Sequence, residues 1–133
     1  MKKSVLVATV SALVLTACAC NPLDVRNTNP HYPNVSVVDG KYIVVVPDPL
    51  YFPKADKNFK ITWQLPADSK YTFPRDGIVI NDAGDEFPDC HQEQNGLRFA
   101  CMNMHAKPGT YKYTIKVEGS PAVRPLDPVI MND

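Results

Sequence analysis

The chain has 133 residues, with 14 Lys and Arg against 14 Asp and Glu, so its formal net charge is zero. This balance excludes the strongly basic surface that nucleic-acid-binding proteins use, and no basic stripe with interleaved aromatic residues occurs. The chain contains 13 prolines and no helical period of useful length after its first two dozen residues. These features favour an all-β fold. The length suits one domain with a modest core.

Residues 1–17 have the organisation of a secretion signal peptide. Lys2 and Lys3 form a positively charged start, and residues 5–15 form an apolar run that is too short to span a bilayer of ~30 Å as a helix. The segment is predicted to direct export and then to be removed. Because both lysines would leave with it and no acidic residue would, the mature chain would carry 12 basic and 14 acidic residues.

The signal segment ends in Leu15-Thr16-Ala17-Cys18. This tetrapeptide resembles the lipobox of bacterial lipoproteins, and the resemblance implies cleavage before Cys18 and lipidation of its thiol. At ~0.8 kcal/mol per buried CH₂, two or three acyl chains hold a soluble domain at a lipid bilayer. The resemblance implies a lipid-anchored protein of the cell envelope, and Ala19 after the lipid site implies the outer membrane, facing the periplasm, in a Gram-negative host. An ordinary secretory signal is the alternative.

Residues 18–34 are predicted to form a lipidated, flexible tether. Asparagines and prolines interrupt this segment and no apolar periodicity survives, so it is expected to be unstructured. The alternative is that it docks on the domain as an edge strand. The tether leads to a single predicted domain over residues 35–133.

The first strands of this domain are predicted from β-branched runs and turn signals. Val35–Val38 and Tyr42–Val46 flank Asp39-Gly40, which favours a type I′ hairpin because both central residues tolerate a positive φ. Leu50–Phe52 lies between two prolines, and the missing proline N–H groups confine such a run to a sheet edge or an irregular crossover.

The remaining strands follow from alternation of apolar and polar residues. Phe59, Ile61, Trp63 and Leu65 alternate with polar neighbours, which predicts a half-buried strand with the single tryptophan at the centre of packing. About seven short strands separated by turn signals predict an antiparallel β-sandwich. The later predicted strands are Ile78–Ile80, Leu97–Met102 and Thr110–Val117, and Val129–Met131 is expected to add an edge strand.

The four cysteines agree with an oxidising compartment. Cys90 and Cys101 flank a turn rich in Gln, Asn and Gly, and they are predicted to form a disulfide within a hairpin. A closed loop of about twelve residues would contribute ~3 kcal/mol to stability in the chain-entropy model. Cys20 is left over, and a second modification, a free thiol and an intermolecular bond all remain open for it.

Residues 35–118 resemble an immunoglobulin-like or cupredoxin-like sandwich. The resemblance depends on Trp63 in a middle strand, on the cysteine-bearing strand and on the closing Pro-Gly-x-Tyr-x-Tyr-x-Ile-x-Val pattern that begins at Pro108. The spacing of the two cysteines departs from the immunoglobulin inter-sheet bridge, which joins strands far apart in sequence. The whole chain also resembles the small uncharacterised lipoproteins of bacterial envelopes, which implies a location and no activity.

Two histidines and two methionines that stand near Cys90 and Cys101 in the sequence suggest a metal site. Copper ions accept thiolate, thioether and imidazole groups as ligands. Against this, the cupredoxin pattern takes its first His from well upstream, where the chain offers only His31 in the tether, and ligation by Cys101 would leave Cys90 unpaired. The two methionines share a strand face by period 2, so core filling or partial exposure is the competing interpretation. The candidate ligands are His91, Met102, Met104 and His105.

No catalytic motif is found in the sequence. It lacks a nucleophile elbow, a zinc-protease helix motif and a glycine-rich phosphate loop, and its acidic loop lacks the order of a calcium loop and is predicted to be a solvated turn. The sequence predicts a membrane-anchored envelope lipoprotein that acts as a non-catalytic interaction or structural module, without a cofactor, with the bilayer and an envelope protein as partners. A copper-binding protein and an unrecognised enzyme or inhibitor are the alternatives. The acidic loop residues are Asp82, Asp85, Glu86 and Asp89.

Overall fold

The computed structural model describes residues 28–133, so the predicted signal peptide, Cys18 and Cys20 lie outside the described residues. The described part of the chain is all-β, with nine strands and one short 3₁₀ turn at Gln94–Gly96. The strands are β1 Asn34–Val38, β2 Tyr42–Val46, β3 Leu50–Phe52, β4 Phe59–Gln64, β5 Ile78–Ile80, β6 His91–Glu93, β7 Arg98–Asn103, β8 Gly109–Ile115 and β9 Val129–Asn132.

The strands form two sheets that enclose one hydrophobic core. The first sheet has five strands in the order β2-β1-β4-β7-β6, and the second has four in the order β3-β9-β8-β5. The predicted all-β sandwich is confirmed. The pairing is antiparallel except in two places, where β1 pairs with β4 and β3 pairs with β9 in parallel, so both sheets are mixed.

The β1–β2 hairpin forms as its turn residues predict. Asp39 and Gly40 have φ angles of 54° and 61°, and the Lys41 N–H donates to the Val38 carbonyl at 2.9 Å. A positive φ is tolerated by Gly and by Asp, whose short side chain suits the left-handed region. The φ preferences of these two residues therefore suit the turn that joins β1 and β2.

Trp63 lies at the centre of the core, as its size predicts. It is fully buried on β4, and its Nε1–H donates to the hydroxyl of Tyr113 on β8 at 3.4 Å. This contact joins the two sheets. Burial raises the pKa of Tyr113 well above its ordinary value, and the negative charge of Asp48 adds to the effect, while the hydrogen bond from Trp63 opposes it.

The C-terminal strand occupies a place that the sequence does not predict. β9 was expected at an edge, but it lies between β3 and β8, with Ile130 opposite both Leu50 and Tyr111. β3 takes the edge position expected of a strand between prolines. β6 was not predicted, because His91–Glu93 has no apolar alternation; its pairing with β7 defines it instead.

The end of the predicted tether packs on the domain. The carbonyls of His31 and Pro33 accept hydrogen bonds from the N–H groups of Thr62 and Gln64 at 2.8 and 3.0 Å. The His31 ring packs 4.7 Å from the ring centroid of Phe59. The expectation that the chain is unstructured as far as residue 34 is therefore wrong for residues 31–34. Their carbonyls satisfy N–H groups of β4 that would otherwise lack partners.

Candidate functional site

Cys90 and Cys101 form the predicted disulfide. β6 and β7 are paired so that His91 lies opposite Ala100, and this register places the two cysteines across from each other. Cys101 is fully buried, whereas Cys90 is exposed and lies just before β6. Because its sulfur is in the disulfide, Cys101 is not a thiolate that could ligate copper.

His91 lies beside the disulfide, in a shallow surface pocket of about 450 Å³ that Lys60 and Met102 also line. Its Nδ1 is 2.8 Å from the Asp89 carbonyl and its Nε2 is 3.1 Å from a carboxylate oxygen of Glu93. Both ring nitrogens face acceptor oxygens of the protein itself, so neither is directed at a metal ion in these contacts.

The candidate copper ligands do not line a common pocket. His91 and Met102 line the pocket beside the disulfide, whereas His105 lines a different pocket. Met104 is 37% exposed and Met102 is partly buried, as expected for residues on the outward face of the strand. Within residues 28–133, no group of three or more His, Cys, Asp or Glu side chains is placed to hold a metal ion.

Glu86 departs from the predicted solvated turn. Glu86 is only 9% exposed, and its Oε2 accepts hydrogen bonds from the backbone N–H groups of Ala106 and Lys107 at 3.0 and 3.4 Å. Burial raises the pKa of Tyr111, and the negative charge of Glu86 raises it further. Glu86 thus anchors the loop after β7.

His105 belongs to a buried polar network at one end of the sandwich. The backbone N–H of His105 donates to Oδ1 of Asn103 at 3.0 Å, and Nε2 of its ring lies 2.8 Å from the Asp133 carbonyl. A carbonyl only accepts, so Nε2 carries a proton. In the neutral ring Nδ1 then holds a lone pair. His105 is 2% exposed, and its buried Nδ1 has no hydrogen-bond partner among the described residues.

The pocket that His105 lines has a volume of about 310 Å³. Two lysines and one aspartate carry the charged groups of its lining, so the lining is positively charged overall. Asp133 also accepts a hydrogen bond from the Tyr51 hydroxyl at 3.1 Å, and this bond raises the pKa of Tyr51. The other lining residues are Lys54, Lys57, Ala106, Pro108 and Asp133.

A groove with a volume of about 370 Å³ lies at the tip of the β1–β2 hairpin. Its wall includes Tyr71, whose hydroxyl donates to the Pro121 carbonyl at 2.6 Å. Asp39, Asp68 and Lys70 also line it. The tyrosine hydroxyl thus holds the segment after β8 in place.

The sequence analysis named His105 only as a candidate metal ligand and did not predict its burial. The missed signal is the alternation of β7 itself, which continues beyond the strand: Cys101, Asn103 and His105 are buried, while Met102 and Met104 face outward. The same alternation that predicted the shared face of the methionines therefore locates the histidine on the inner face.

The sequence was compared with known proteins. No family model matches the chain, and no curated protein matches it. Among residues 28–133, no helix has the length and apolar character needed to cross a membrane.

Proposed function

We propose that this chain is a lipid-anchored lipoprotein of the bacterial envelope whose β-sandwich binds another envelope protein. The observation that carries the proposal is Leu15-Thr16-Ala17-Cys18 after a basic start and a short apolar run. The Cys90–Cys101 disulfide supports it, because structural disulfides persist in oxidising compartments outside the cytosol.

The length of the segment after the lipid site supports a domain held close to the bilayer. Packing on the domain begins at His31, whose carbonyl is bonded to β4. The residues from Cys18 to His31 reach at most ~45 Å when fully extended. A lipidated Cys18 would therefore keep the sandwich within reach of proteins embedded in or attached to the same membrane.

The outer face of the four-stranded sheet offers a surface for a protein partner. Tyr51 on β3 and Met131 on β9 lie opposite each other, and they are 48% and 39% exposed. Aromatic residues and methionine are enriched in protein interfaces. We therefore assign the partner to the face around Tyr51 and Met131.

Lipidation is tested by intact-mass measurement on protein extracted from its native membrane. The expected mass is that of a chain beginning at Cys18 and carrying a diacylglyceryl group, with or without an N-acyl chain. The variant Cys18→Ala should lack this lipid, while the matched variant Cys20→Ala should retain it. A native protein that still carries residues 1–17 would overturn the anchor.

The interaction is tested by photo-crosslinking in intact cells. A photoreactive residue at position 51 or 131 should give the same discrete protein adduct, and one at the exposed hairpin residue Lys41 should give none. Adducts of equal yield at all three positions, or at none, would contradict an interaction through this face. The result does not depend on the lipid analysis, so the two parts of the proposal fail separately.

A further inference from the structure

The edge of β1 that faces β4 is open at Val37. The carbonyls of His31 and Pro33 accept hydrogen bonds from β4, and every second residue of an extended chain points its N–H and C=O to the same side. Val37 therefore presents both groups to this side. β1 and β4 are paired at Asn34 and Gln64, and among residues 28–133 the main chain of Val37 has no hydrogen-bond partner on this side.

Pro66 explains why β4 does not cover this edge. Two residues after Gln64, the next N–H of the parallel ladder would come from residue 66, and proline has no N–H to donate. The Pro66 carbonyl accepts a hydrogen bond from the Ser69 N–H at 2.9 Å, so it is engaged in a local turn. Val37, Pro66 and Ser69 all line the groove at the tip of the β1–β2 hairpin, which is called the hairpin groove from here on.

The hairpin groove has fixed walls and an open strand edge. The Tyr71 hydroxyl holds the Pro121 carbonyl at 2.6 Å, and a Cβ atom at Gly40 would lie 2.9 Å from the Pro121 ring, so the hairpin tip packs closely on this segment. The side chain of Val37 packs against the core, which leaves its main chain to face the groove. Unpaired strand edges accept extended peptides through main-chain hydrogen bonds.

The size of the hairpin groove limits the length of such a peptide. Its volume of about 370 Å³ lies near the lower end of the ~300–1,000 Å³ that is usual for ligand pockets. Only Val37 offers both an N–H and a C=O in this groove. A short segment of a few residues therefore fits better than a complete strand.

Charged side chains around the hairpin groove favour a positively charged peptide. Asp39, Asp68 and Lys70 line the groove and are exposed. None of them takes part in an ion pair with another of the described residues. Two carboxylates against one ammonium group give the lining a net negative charge, and this charge attracts a cation.

We propose that the hairpin groove binds a short extended peptide that carries an ammonium group. The peptide backbone exchanges N–H···O=C hydrogen bonds with Val37, and its ammonium group lies near Asp39 and Asp68. This binding site is separate from the lipid anchor and from the face around Tyr51 and Met131.

The test is calorimetric titration of the full-length protein, in detergent solution, with the blocked peptide acetyl-Ala-Lys-Ala-amide. The same peptide with glutamate in place of lysine should bind about tenfold more weakly or not at all. A version of the lysine peptide with methylated backbone nitrogens cannot donate main-chain hydrogen bonds, and it should bind at least about fivefold more weakly. These comparisons use the unmodified protein, so they do not depend on the folding of a variant.

Protein variants and hydrogen exchange locate the binding. The double variant Asp39→Asn with Asp68→Asn should weaken binding of the lysine peptide by about tenfold, and asparagine suits the positive φ of residue 39. Asp85→Asn changes an exposed carboxylate outside the groove and should bind like the wild type. Saturating peptide should slow hydrogen exchange of the Val37 amide, while the Val38 amide, which points toward β2, should change little.

Four results would overturn the proposal. They are no binding of the lysine peptide, equal binding of the glutamate peptide, equal binding of the backbone-methylated peptide, and binding that leaves exchange of the Val37 amide unchanged. Weaker binding by the double aspartate variant, together with slower exchange at Val37, would support it.

Discussion

Asn103 and Asn132 join the two sheets through their side-chain amides, each donating from Nδ2 to the Oδ1 of the other at 2.9 and 3.1 Å. Asn103 ends β7 in the five-stranded sheet, and Asn132 ends β9 in the four-stranded sheet. Both residues are buried. Since a buried amide cannot exchange its partner for bulk water, each side chain depends on the other for its hydrogen bonds.

Truncation of this pair should be costly and non-additive. Asn132→Ala should lower the free energy of unfolding by ~1–3 kcal/mol, because it leaves the Asn103 amide without its partner. Asn103→Ala should cost more, since the His105 N–H loses its acceptor as well. Urea unfolding of both single variants and the double variant measures the coupling. The double variant should cost less than the sum of the singles, and simple additivity would contradict the pairing.

Removal of the Cys90–Cys101 disulfide should destabilise the domain. The two cysteines are 11 residues apart in sequence, and the chain-entropy model gives ~3 kcal/mol for a loop of this size. Cys90→Ala with Cys101→Ala should show this loss in urea unfolding. The wild type should lose a similar amount when a reductant is added, while the double variant should not respond. A wild type that is insensitive to complete reduction would contradict the prediction.

Glu86 should contribute to stability as a hydrogen-bond acceptor. Glu86→Ala leaves the N–H groups of Ala106 and Lys107 without their acceptor, and it should lower the free energy of unfolding by ~1–3 kcal/mol. Glu86→Gln keeps an acceptor oxygen and should cost less. The neighbouring Asp85 is exposed, so Asp85→Ala is the matched control and should stay within ~0.5 kcal/mol of the wild type. Equal losses at the two positions would be inconsistent with this role.

Because the pKa of Tyr113 is raised in the folded domain, the free energy of unfolding should vary with pH in the alkaline range. In the unfolded chain the phenol ionises near pH 10, whereas burial keeps it neutral to higher pH in the folded domain. The unfolded state therefore loses its proton first, and stability present below pH 10 should decline as the pH rises above it. Tyr113→Phe should reduce this decline in urea unfolding between pH 8 and pH 11. An unchanged pH dependence in the variant would show that Tyr113 is not the source.

Local sequence features predicted the elements whose causes are local. Asp39-Gly40 predicted its hairpin because the turn depends only on the φ preferences of two residues. Phe59–Gln64 was predicted because alternation reports one buried face directly. The disulfide was predicted from the spacing of Cys90 and Cys101 and from the oxidising compartment expected for the chain.

The features that depend on distant contacts could not be predicted. The place of Val129–Asn132 inside its sheet is set by partners far away in sequence, and no local preference encodes which strands flank it. β6 has a polar sequence and forms by pairing with β7. The hydrogen bonds of His105 could not be predicted, because they join it to Asn103 and to the Asp133 carbonyl, and only the folded sheets bring Asp133 to this place.

The position of β9 also bears on the order in which the domain assembles. β3 pairs only with β9 among the described strands, with Leu50 opposite Ile130, so β3 has no partner until a segment ~80 residues further along the chain is available for pairing. Until then Leu50 and Phe52, both fully buried in the finished domain, remain uncovered. Prematurely terminated chains that lack residues 129–132 would keep this apolar edge exposed and should be substrates for chaperones or proteolysis.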